Sequence, residues 1–126
     1  MAAAVGTRSN LKKLNVTDCG FTISGGYNLI QNLGRNHTIK YACHDHNNLG
    51  GIRIKLRVLK DLLFNNQTIE TLSMCHCLLG ENGGSYISRG LGHSPSLTHL
   101  FLGYNEFTDE GVSTFNRAFE EDTIQL

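Results

Sequence analysis

The chain has 126 residues (13.9 kDa), with 40% hydrophobic and 17% charged side chains, 14 glycines, one proline and no tryptophan. This is one domain's worth of chain, too apolar for intrinsic disorder. Eleven Lys and Arg balance eleven Asp and Glu, which argues against a polyanion-binding module, and no apolar run nears the ~18 residues of a membrane helix.

Residues 1–10 lack the basic and apolar regions of a secretory signal, so the expected protein is cytoplasmic with Cys19, Cys43, Cys75 and Cys77 reduced. The pair Val5-Gly6 stands six residues before Leu11, as Leu33-Gly34 stands before Ile39 and Leu91-Gly92 before Leu97. Residues 1–10 therefore read as the remnant of a preceding helix or an N-terminal extension. A pattern then recurs: apolar, two residues, apolar, one residue, apolar, two residues, Cys or Asn, one residue, apolar. Leu11, Leu14, Val16, Cys19 and Phe21 open the first unit, residues 11–38. Ile39, Ala42, His44, Asn47 and Leu49 open the second, 39–68. Ile69, Leu72, Met74, Cys77 and Leu79 open the third, 69–96, and Leu97, Leu100, Leu102, Asn105 and Phe107 the fourth, 97–123. Residues 124–126 begin a truncated fifth, so a fragment of a longer array is one reading.

Each first half is a short strand. Each second half has helical spacing, clearest at Leu56, Leu59, Leu63 and at Val112, Phe115, Phe119. Glycines at 25–26, 50–51, 83–84 and 111 read as loop-formers before the helices. Cys19, Asn47, Cys77 and Asn105 fall where the chain leaves each strand, placed to hydrogen-bond the loop of a neighbouring unit. Three N-x-T sequons, at Asn15, Asn36 and Asn66, read as by-products of a threonine-rich repeat. His44 sits in the apolar column of Val16, Met74 and Leu102; a buried imidazole there is expected to have a hydrogen-bond partner and a lowered pKa.

The four tandem runs resemble the leucine-rich repeat, and the helical second halves resemble its ribonuclease-inhibitor-like subclass, as in the repeat regions of NACHT/NOD-like receptors. That subclass also holds ribonuclease inhibitors and the GTPase-activating protein for Ran. The resemblance implies an α/β solenoid with a parallel sheet on the concave face, helices on the convex face, and protein partners.

Alternation along the strands puts Lys13, Tyr41, Thr71 and His99 in one concave column and Asn15, Cys43, Ser73 and Phe101 in the next. Thr17, Asp45, Cys75 and Gly103 form a third, with Asp18, His46, His76 and Tyr104 along the rim. The expected partner-binding residues are Tyr41, Asp45, His46, His76, His99, Phe101 and Tyr104: aromatic anchors in a polar surround. The partner is a protein; neither nucleic acid nor membrane is expected. Self-association through uncapped ends is the second reading. A metal site from Asp18, Asp45, His46, Cys75 and His76 is the third, weakened by the lack of ligand spacing such as C-x-x-C. Cys75 with a histidine and Asp45 has the residue types of a thiol triad, but an open sheet excludes water poorly, so no catalysis is expected. No phosphate loop is present, and no cofactor is expected.

Overall fold

A computed structural model describes residues 10–110 together with Val112, Ser113 and Phe115. Residues 1–9 of the expected remnant (1–10), Gly111, Phe119 and the truncated fifth unit lie outside the described residues. Four three-residue strands, β1 (Lys13–Asn15), β2 (Tyr41–Cys43), β3 (Thr71–Ser73) and β4 (His99–Phe101), form one parallel sheet in chain order. Between them run α1 (Ile23–Arg35), then a 3-10 helix (Gly50–Lys55) leading into α2 (Arg57–Asn65), then α3 (Gly80–Leu91). Neighbours along the chain are neighbours in space, as in a solenoid.

The register places Leu14 beside Ala42, Ala42 beside Leu72 and Leu72 beside Leu100. This row points inward because strand side chains alternate between faces. It meets Leu29, Ile30 and Leu33 of α1, Leu59, Leu62 and Leu63 of α2, and Ile87 and Leu91 of α3, all buried. Each such side chain is stabilised by about 2 kcal/mol on leaving water, and none of the four units could bury its own set alone.

The helices approach closely because their contact points are small. A Cβ on Gly34 of α1 would stand 3.4 Å from the Cα of Leu62 on α2. One on Gly90 of α3 would come within 2.8 Å of the Leu63 Cβ. The expected role of the other glycines is corrected in part. Gly25, Gly26, Gly83 and Gly84 lie inside the helices, not ahead of them. Thr22 starts α1 by accepting a hydrogen bond from the Gly25 N–H at 3.0 Å. Gly84 leaves room for Phe107, whose ring would otherwise be 2.8 Å from a Cβ.

Two asparagine systems tie the units together. Asn47 Nδ2 donates to the carbonyls of Val16 (2.8 Å), His44 (3.0 Å) and Asp45 (3.2 Å), and its Oδ1 accepts from the Cys19 N–H at 3.1 Å. Asn105 repeats the arrangement, donating to Met74, Leu102 and Gly103 and accepting from the Cys77 N–H. Cys77 does the same with one donor, its thiol reaching back to the His44 carbonyl at 3.2 Å. Cys19 departs from the expected bond to a neighbouring unit: it is exposed, and among the described residues its thiol donates to the Thr17 carbonyl of its own loop.

The second system lies at the opposite edge, outside the apolar motif. Asn66 is fully buried; its Nδ2 donates to the carbonyls of Leu33 and Asn36, and its Oδ1 accepts from the N–H groups of Thr68 and Ile69. Asn36 likewise accepts from Thr38 and Ile39. Two of the three sequons are thus return-loop clamps. In the next unit Ser94 stands in the same place, buried, and its Oγ has no partner among the described residues.

His44 also differs from expectation. It is fully buried in the Val16–Met74 column, yet among the described residues neither ring nitrogen has a hydrogen-bond partner. Burial pushes its pKa down from 6.5 to about 4, with the Asp45 charge opposing weakly.

Candidate binding surface

The concave columns are less uniform than alternation predicts. Tyr41, His99 and Phe101 are exposed, as expected of outward positions. Cys43 and Ser73 are buried, contrary to their outward assignment. They sit on the two central strands, where the third-column residues lean over them. Thr17 Oγ1 lies 3.3 Å from Cys43 Sγ, and Ser73 Oγ donates to Asp45 Oδ1 at 2.7 Å. Asp45 Oδ1 also accepts from the Cys75 N–H at 2.8 Å, so this carboxylate first fixes the third loop. His99 Nδ1 lies 2.9 Å from Thr98 Oγ1. Partial burial, and after it the Cys43 thiol, raise the Tyr41 phenol above its usual 10.

The rim repeats from unit to unit. Beyond the strands the parallel ladder continues. Asp18 N–H donates to the Asp45 carbonyl, His46 N–H to Cys75, and His76 N–H to Gly103, each at 3.0 Å. Asp18, His46, His76 and Tyr104 all have left-handed backbones, with φ of 50°, 59°, 54° and 58°. That conformation costs about 1 kcal/mol or more for a residue with a Cβ. Repeated in register, it turns the four side chains the same way. The rings of His46 and His76 stack at 4.4 Å between centroids, 11° from parallel, and those of His76 and Tyr104 at 4.3 Å and 10°. With Asp18, Asn47, Asn48, Leu78 and Glu106 they line a shallow groove of about 550 Å³.

This arrangement bears on the metal and thiol readings. Stacked imidazoles present parallel faces, whereas ligands to one ion must converge their nitrogens. Among the described residues no group of three or more His, Cys, Asp or Glu side chains is placed to hold a metal. No hydrogen bond joins Cys75 to His46 or His76 among the described residues; its thiol lies 3.8 Å from Ser73 Oγ. Burial drives the Cys77 thiol up to about 12, which leaves it unreactive. The chain ends invoked for self-association lie outside the described residues, and no helix among the described residues is long and apolar enough to cross a membrane.

Short parallel strands in chain order, helices behind them and asparagine clamps at both turns define an α/β solenoid of tandem units. The family model for the leucine-rich repeat matches residues 8–29 and 93–115. Human NACHT, LRR and PYD domains-containing protein 14 is 32% identical over 117 residues, covering 92% of this chain and 10% of its own length. Human NACHT, LRR and PYD domains-containing protein 13 is 31% identical over 117 residues, with 93% and 11% coverage. The chain spans about a tenth of these curated relatives. Among solved structures, Leiomodin-1 Actin-Binding Site 2 superposes with a TM-score of 0.72 at 17% identity, over 95% of this chain and 69% of that one. The chain is a leucine-rich repeat protein.

Proposed function

We propose that the chain is a non-enzymatic protein-recognition module whose concave face and adjoining rim make the contact, within a larger receptor, inhibitor or scaffold. The observation that carries this reading is the placement of three exposed aromatic side chains, Tyr41, Phe101 and the 79% exposed Tyr104, on the sheet and its rim. Exposed aromatics of this kind act as binding anchors when a partner excludes water from them. His46 and His76 extend the Tyr104 ring, and His99 and Asp45 supply polar neighbours. A four-strand face matches the smaller side of a standard interface, about 800 Å² per partner. The family supports the reading, since a repeat solenoid offers one continuous inner surface.

The test compares proteins retained by immobilised wild-type chain, by Tyr41→Ala with Phe101→Ala, and by the convex-face variant Lys60→Ala. A partner kept by wild type and Lys60→Ala should be lost at least ~30-fold with the double variant, the affinity equivalent of ~2 kcal/mol. Loss with Lys60→Ala and retention with the double variant would move the interface to the helices.

A further inference from the structure

The rim is chemically one-sided. The four loops leaving the strands, 16–22, 44–49, 74–79 and 102–108, carry Asp18, Asp45 and Glu106 and no lysine or arginine. Lys12 and Lys40 precede the strands at the other edge, Lys13 opens β1 on the concave side, and Lys55 and Lys60 belong to the convex helical layer. Neither Asp18 nor Glu106 makes an ion pair among the described residues. The ring column beside them is also incomplete. Three successive units contribute His46, His76 and Tyr104, while the first contributes Asp18, with the same left-handed backbone and the same ladder bond. The stack therefore ends at His46, and the rim position of the preceding unit, on the same groove, holds the shorter carboxylate side chain of Asp18.

We propose that this step is a seat for the guanidinium of an arginine in a basic protein segment. The seat deepens the recognition reading above and rests on it. A guanidinium is planar and stacks on aromatic faces at about the spacing already seen between the rings. Laid on His46, it continues the column by one member and comes over Asp18, whose two oxygens match its paired N–H donors. The shallow groove past Asn47, Asn48 and Leu78 accommodates the chain on either side, and Glu106 extends the negative field along it. Both sides of the seat are within the array, so it needs no residue beyond Tyr104. A lysine has the charge and lacks the plane, which makes arginine the preferred occupant.

The test uses the whole chain and two blocked peptides of alternating glycine with arginine or with lysine, at low salt. Binding is followed through the histidine ring signals in NMR spectra. The arginine peptide should shift the His46 ring saturably and bind at least threefold more tightly than the lysine peptide. Asp18→Asn and His46→Asn should each weaken it at least fivefold. Asparagine tolerates the left-handed backbone, so both variants keep the turn, and unchanged melting temperatures verify this. Equal binding of the two peptides, or no effect of Asp18→Asn, overturns the proposal, as does the absence of a saturable shift. Neither substitution touches Tyr41 or Phe101. Loss of the arginine seat therefore leaves the concave-face comparison intact, and failure of that comparison leaves the peptide result intact.

Discussion

His44→Leu is predicted to stabilise the protein and to flatten its response to acid. The native side chain occupies a fully buried apolar slot with two unpartnered nitrogens. Above pH 7 the ring is neutral in both folded and unfolded chains, and its cost is that of a desolvated polar group, about 1–3 kcal/mol. Leucine in the same column removes that cost at a similar volume, so a gain of ~1 kcal/mol or more at pH 7.5 is expected, a rise of ~4 °C in melting temperature. Below that pH the proton balance changes. The unfolded chain takes up a proton near pH 6.5, whereas the folded chain holds the ring neutral until about pH 4. Stability is therefore complete above 6.5 and is lost as pH falls toward 4. At 1.36 kcal/mol per tenfold difference, the loss is ~2 kcal/mol at pH 5 and ~3 kcal/mol once pH 4 is passed. Urea denaturation of wild type and variant at pH 7.5, 6 and 5 reads the difference directly. The other five histidines are common to both proteins and cancel to first order. A gap between variant and wild type that does not widen from pH 7.5 to pH 5 would refute the reasoning, since an imidazole with a partner inside the core would behave that way.

Three further substitutions test the connections between units. Asn105→Ala removes a side chain that donates to three carbonyls and accepts from the Cys77 N–H, and should cost about 2–4 kcal/mol in chemical denaturation. Gly50→Ala would drive a Cβ into the Leu78 carbonyl, a backbone group that cannot swing aside, so a loss above ~2 kcal/mol or an insoluble product is expected. Ser94→Asn should do the opposite. It restores at the third return loop the clamp made by Asn66 at the second, giving a gain of ~1 kcal/mol, and a lowered melting temperature would show that the shorter side chain is needed there.

The repeat period alone carried the fold. Spacing from Leu11 to Leu97 sets which strand neighbours which, and the Leu14–Ala42–Leu72–Leu100 row is fixed once strand alternation is applied. The clamps at Asn47 and Asn105 were legible because a polar residue recurred inside an apolar motif. Those at Asn36 and Asn66 are equally periodic, three residues before Ile39 and Ile69, but they fall in a polar stretch, where a buried amide looks like any other loop asparagine. Cys43 and Ser73 were misplaced because alternation says which way a side chain points and not what leans over it. The candidate surface was legible as a set of residues and not as a shape. Nothing in a string of letters announces that His46, His76 and Tyr104 have positive φ, and without that turn their rings would not be coaxial.

The amides at Asn36 and Asn66 have one more implication. Each is shut inside the wall of the solenoid, holding the approach to the following strand by two N–H groups. A sugar attached at either would have to arrive before the wall closes, and once there would hold it open. For these two residues carbohydrate and tertiary structure are alternatives, so an N-linked glycan found on either would mark a molecule that has not assembled its second or third rung.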